Sequence, residues 1–191
     1  MEKPKFGLMN IGIKNPKKYA IDFPPSISNV AEGKLNLVYN WIPAGVSVPP
    51  HIGRLSTIRF DSNPKQGLDH GLASFCTLIP GGAQTHRKRF LMWPPTEKNL
   101  ERFYRKGADN SLLALSKDLE EGIKHELTCE RSELLYIPHG WIHYTHSFTD
   151  GFCVGYTFLV LDCLGTFGDI QARERTFTDN LFFNYWKQGL M

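Results

Sequence analysis

The chain has 191 residues, 41% hydrophobic and 21% charged, which suits one domain with a real core and excludes a disordered or disulfide-stapled miniature. A formal net charge of +3 is too small to mark a nucleic-acid binder. Its four cysteines (Cys76, Cys129, Cys153, Cys163) form no CxxC pair, so reduced thiols in an intracellular protein are expected.

Residues 1–54 are rich in Pro, Gly and Lys and read as an N-terminal extension. Within them KLNLVYNWI (34–42) alternates well enough for one strand, and IPAGVSVPP (42–50) reads as a turn or extended loop because of its three prolines. From residue 55 the rhythm is clearer. LSTIRFD (55–61), LASFCTLIP (72–80) and KRFLMW (88–93) read as strands separated by turn-forming stretches. Pro94-Pro95 closes the third. Thr96 is then a predicted N-cap for a helix that carries Leu100, Phe103 and Tyr104 on one face, and a second short helix is expected over 110–119. Strands return with KHELTC (124–129), ELLYIP (133–138) and FCVGYTFLVL (152–161). Beyond Gly165 helical spacing resumes. The pattern predicts a mainly β domain over 55–163, a helical insert near 96–119 and C-terminal helices over 164–191.

The stretch ELLYIPHGWIHYTHSFTDGFCVGYTFL (133–159) resembles the closing strands of the JmjC domain, where Pro-x-Gly-Trp leads into a metal-binding His, here His143. Upstream, KRFLMWPPTEKNLERF (88–103) resembles the JmjC strand that carries the 2-oxoglutarate lysine, here Lys88. DSNPKQGLDHGLAS (61–74) is similar to the segment with the H-x-D iron motif in the branch of the F-box and PHD-finger histone lysine demethylases. QARERTFTDNLFFNYW (171–186) is similar to the helices after that branch's barrel. The resemblance covers roughly residues 55–186, in order. It implies a double-stranded β-helix (a jelly-roll, cupin-like barrel), Fe(II) and 2-oxoglutarate as cofactors, a histone tail or other chromatin protein as partner, and a nuclear location. No membrane and no direct sequence-specific nucleic-acid contact are expected; without the resemblance a cytoplasmic location fits equally well.

The iron motif departs from the family pattern. Asp69 falls at the carboxylate position, but Gly67 stands where the first histidine belongs, and Gly has no ligand to give. His70 is a further candidate ligand, although as a strand neighbour of Asp69 it should point the other way unless a bulge turns it inward. Pro64 replaces a hydroxyl, Thr77 an aromatic hydroxyl and Thr157 an asparagine around the implied co-substrate, so Lys88, Thr77 and Thr157 are the expected cofactor-binding residues. Asp69 and His143 are the expected metal ligands. Loss of a ligand should weaken iron by more than the roughly 10–100-fold seen for outer partners of a ligand.

Each site residue also has a plainer reading. Asp69 suits a solvated turn, and His143 a satisfied core histidine. Lys88 belongs to the run Arg87-Lys88-Arg89, yet it shares a strand face with Phe90 and Met92, where an ammonium needs an anionic partner. The cluster from His86 to Arg89 also suits phosphate contacts, though without interleaved aromatics. Zinc at His139, His143 and His146 needs a helix that Pro138 and Gly140 oppose. Three functions therefore compete: a chromatin-associated JmjC protein with impaired or lost oxygenase chemistry, an active Fe(II)/2-oxoglutarate demethylase or hydroxylase, and a cupin-like small-molecule binder.

Overall fold

The computed structural model describes residues 9–12, 36–52, 73–79, 85–107, 117–131, 133–158, 160–170 and 172–173. Its strands are β1 (Met9–Gly12), β2 (Asn36–Ile42), β3 (Ser47–Ile52), β4 (Ala73–Ile79), β5 (Arg87–Trp93), β6 (Ile123–Thr128), β7 (Leu135–Ile137), β8 (Ile142–Ser147) and β9 (Gly151–Phe158), with helix α1 at Glu97–Gly107. They form two sheets, ordered β1-β2-β9-β4-β7 and β3-β8-β5-β6. The pairings β5–β6, β4–β7, β3–β8 and β2–β9 are all antiparallel and nested, as in one long hairpin coiled on itself. This winding is the double-stranded β-helix, in which successive strands pass from sheet to sheet and enclose a common interior.

The barrel begins earlier than residue 55, because β2 pairs along its whole length with β9, and β3 with β8. The expected turn or extended loop at 42–50 is a tight turn, but it is followed at once by a strand. Gly45, at φ 76°, makes the turn, with Val46 N–H donating to the Pro43 carbonyl at 3.3 Å. Pro49 and Pro50 then lie within β3, which among the described residues ends its sheet and shifts register between Val48 and His51. An edge strand at a bulge tolerates prolines because fewer ladder donors are needed there. The expected strand at 55–61 lies outside the described residues, as do most of the expected helices at 110–119 and 164–191. Residues 117–118 form a turn, and residues 164–170 are helical.

Strand alternation sorts the side chains. Ile42, Cys76, Leu78, Phe90, Met92, Leu127, Ile137 and Cys153 meet inside the barrel. On the outer face of the β3-β8-β5-β6 sheet, Trp93 and Ile142 pack with Leu100 of α1, Leu119 and Ile170. On the outer face of the other sheet, Phe75 and Phe158 stack at 5.1 Å between centroids. Thr96 caps α1 as expected, its Oγ1 accepting from Asn99 N–H at 3.2 Å. Asn99 is fully buried. It donates to the Pro94 and Glu120 carbonyls and accepts from Glu120 N–H, locking the Pro-Pro turn and α1 to the segment that enters β6. Among the described residues no helix is long and apolar enough to cross a membrane.

Candidate functional site

The motif Pro138-His139-Gly140-Trp141 is a β-turn that aims β8 into the barrel wall. Trp141 N–H donates to the Pro138 carbonyl at 3.3 Å, and Gly140 takes φ 71°. A side chain there is excluded twice, by that left-handed φ and by Ile170 and Pro95, each 3.2 Å from where a Cβ would stand. Beyond the turn, His143, Thr145 and Ser147 pair in register with Met92, Phe90 and Lys88 of β5. Since Phe90 and Met92 face the interior, all six do.

His143 is buried, and its Nδ1–H donates to the Trp141 carbonyl at 3.1 Å, because a carbonyl only accepts. The lone pair is thereby left on Nε2, as metal ligation requires. Burial, aided by Lys88 and opposed by the Trp141 bond, pushes its pKa down to about 4, so the ring is neutral near pH 7. Directly across from it on β3 stands His51, the two ring centroids 4.0 Å apart. Sequence reasoning missed His51 because the preceding prolines suggested a loop. The available signal was the alternation of Ser47-Val48 resuming at His51-Ile52.

Lys88 is only 4% exposed and lies inside the barrel, as its shared face with Phe90 and Met92 predicted. Its ammonium is 5.4 Å from the Phe90 ring centroid, and among the described residues no carboxylate is within salt-bridge distance. Thr157 and Ser147 also point inward, and the buried hydroxyl of each lacks a hydrogen-bond partner, as does Asn40 Oδ1. Buried cations and hydroxyls are normally matched by a partner. These groups suit an acidic ligand, with Lys88 and the hydroxyls donating to it.

Thr77 does not join them. Interior positions on β4 belong to Cys76 and Leu78, so Thr77 faces the opposite way and donates its hydroxyl to the Glu133 carbonyl at 2.9 Å. Asp69, His70, Gly67 and Pro64 lie outside the described residues. Among the described residues no group of three or more His, Cys, Asp or Glu side chains gathers as a metal site. The only imidazole the structure sets beside His143 at ring-contact distance, among the described residues, is that of His51.

The barrel's far end is closed by His86, fully buried, whose Nδ1–H donates to the Phe152 carbonyl at 3.2 Å. It rests on Gly151, where an added Cβ would lie 2.3 Å from the ring. Burial lowers its pKa, and that of buried His139 as well. The expected phosphate cluster is thus divided. His86 and Lys88 turn inward, while Arg87 and Arg89 lie over the Phe148 ring at 4.3 and 4.8 Å, with Arg89 paired to Glu126 at 2.7 Å. His146 is on the outer face, its Nδ1 2.8 Å from Ser47 Oγ, which removes it from any zinc set with His143.

No family model matches the chain. A 77-residue stretch, 39% of the chain, is 42% identical to the JmjC domain-containing histone demethylation protein 1 of Kluyveromyces lactis. A 91-residue stretch, 47% of the chain, is 33% identical to the protein of the same name from Saccharomyces cerevisiae. Over these stretches the chain is similar to JmjC domain-containing proteins. The matches span only 16% and 18% of those relatives' lengths. Among solved structures, a cupin superfamily protein from Desulfitobacterium hafniense aligns with a TM-score of 0.39 and 7% identity, over 83% of this chain and 84% of that one. The strand order and nested pairing given above define the cupin-like barrel independently of that alignment.

Proposed function

We propose that this is a JmjC-type barrel, of the histone lysine demethylase kind, that retains a pocket for 2-oxoglutarate and has impaired or lost oxygenase chemistry, working as a chromatin-associated nuclear binding module. The supporting observation is Lys88, a buried ammonium without a carboxylate partner among the described residues, facing the same interior as His143 and the unmatched hydroxyls of Thr157 and Ser147. Lys88 would grip the distal carboxylate of the co-substrate by a charge-assisted bond, and Thr157 and Ser147 would donate to its oxygens. His143 would offer Nε2 to Fe(II), which supplies oxygen activation when bound. Weak metal binding follows from a set of two imidazoles unless Asp69 adds a carboxylate.

A second reading, an active demethylase or hydroxylase, is favoured by His51. Its ring beside His143 provides the second histidine that Gly67 lacks, and Asp69 would complete two histidines and one carboxylate. The cupin-like small-molecule binder remains as a third reading, resting on fold alone.

The test is titration of the purified protein with 2-oxoglutarate, with and without Mn(II), followed by an assay for formaldehyde release from methyl-lysine histone peptides with Fe(II). Binding of 2-oxoglutarate that Lys88→Met abolishes, without turnover, supports the first reading. Stoichiometric turnover that His51→Ala and Asp69→Ala each abolish establishes the second. No 2-oxoglutarate binding under any metal condition overturns both.

A further inference from the structure

The barrel interior holds a feature for which 2-oxoglutarate chemistry has no use. Cys76 on β4 and Cys153 on β9 are both buried in the same interior cluster. The register pairs Cys76 with Gly155 and Leu78 with Cys153, so the two thiols are diagonal neighbours on adjacent strands. They face the same interior, so each thiol bears on the titration of the other. That mutual influence is the main reason Cys153 is pulled down and Cys76 pushed up; burial opposes the first shift and reinforces the second, and Lys88 favours the thiolate at both. Gly155, opposite Cys76, leaves the wall open. A Cβ there would meet only the Phe75 carbonyl oxygen, at 3.9 Å.

We propose that Cys76 and Cys153 form a two-thiolate site for a soft monovalent metal ion, copper(I) in particular, inside the barrel. Binding forms two metal–sulfur bonds and releases to solvent the protons that the two sulfurs still carry, with no change of oxidation state. The resulting bis-thiolate unit carries one negative charge, and the Lys88 ammonium supplies the counter-charge that a buried anion needs. Thiolate softness selects copper(I) over magnesium, calcium or manganese. Zinc normally takes three or four protein donors, and no third His, Cys, Asp or Glu joins the pair among the described residues. A disulfide is the other fate of two close thiols. Diagonal neighbours on paired strands stand about 7–8 Å apart at Cα, wider than the roughly 4.4–6.8 Å a disulfide spans. A sulfur–metal–sulfur unit is longer than a sulfur–sulfur bond and fits that width.

The experiment is an anaerobic copper(I) titration of the full chain against a chromophoric chelator, with zinc(II) in parallel. Expected are one tightly held copper(I) per chain, an ultraviolet thiolate-to-copper band, and protection of Cys76 and Cys153 from alkylation as read by mass spectrometry. Cys76→Ser and Cys153→Ser should each weaken binding by more than the roughly 10–100-fold that outer partners of a ligand contribute, whereas Cys129→Ser and Cys163→Ser should leave it unchanged. The alkylation map in the unsubstituted chain keeps the test decisive if a variant misfolds. Copper held equally well by the Cys76 and Cys153 variants, copper that protects other cysteines, no copper bound, or a Cys76–Cys153 disulfide formed on mild oxidation would each overturn the proposal. The metal-binding atoms are the two sulfurs, and only Lys88 is common to both readings, so failure of 2-oxoglutarate to bind would leave this test standing.

Discussion

Replacing Lys88 by Met should make the protein more stable and deprive it of its acidic ligand. Lys88 is 4% exposed, and an ion that deep costs several kcal/mol after relaxation when no carboxylate pairs it, as none does among the described residues. The compensation the structure shows is the Phe90 ring, 5.4 Å from the ammonium and worth about 0.5–2 kcal/mol. Met has a similar unbranched shape and keeps the packing against Phe90. The balance favours Lys88→Met by about 1–3 kcal/mol, which for a chain of this size raises Tm by about 2–10 °C. In the unsubstituted protein, 2-oxoglutarate at about 100 times its Kd should add about 2.7 kcal/mol, and in Lys88→Met it should add nothing. Differential scanning fluorimetry with and without ligand measures both. A Tm that falls on substitution means that Lys88 already has an anionic partner in the folded chain, and an undiminished ligand shift means that the cation does not hold the ligand; either refutes the reasoning.

Acid should destabilise the metal-free protein well above the carboxylate range. The pKa of His143 is about 4 folded against an ordinary 6.5, so the unfolded chain binds more protons in that window. Stability is complete above about pH 6.5 and falls by about 3 kcal/mol as pH drops to 4. Urea unfolding at several pH values checks this, and His143→Gln should flatten the slope. Gly151→Ala should cost about 3 kcal/mol by driving a methyl into the buried, hydrogen-bonded His86 ring. The double variant with His86→Ala should recover much of that loss; a purely additive double-mutant cycle would contradict the contact. Asn99→Ala removes three buried hydrogen bonds at once and should cost about 3 kcal/mol in chemical denaturation; a loss below about 1 kcal/mol would mean that water replaces them.

Lys88 and His143 were legible because alternation fixes a face. Phe90 and Met92 carried Lys88 inward, and the Pro-x-Gly-Trp turn announced the strand of His143. Thr96 was legible for a local reason, since an N-cap depends only on the turn that follows it. Thr77 was not, because ASFCTLI is apolar on both faces and either parity looks equally good. β3 was hidden by its prolines, and with it His51, whose role depends on a partner 92 positions away in register. Local rules cannot supply such a pairing. Asp69, the remaining expected ligand, lies outside the described residues and is tested by substitution instead.

The pair Pro49-Pro50 has a consequence at the level of assembly. A sheet that ends in a regular strand offers its spare N–H groups to any passing chain and invites stacking into aggregates. With no N–H at two successive positions and a register shift beside them, β3 makes a poor template for a further strand. Strand-by-strand stacking of copies through the stretch beside His51 is thereby disfavoured.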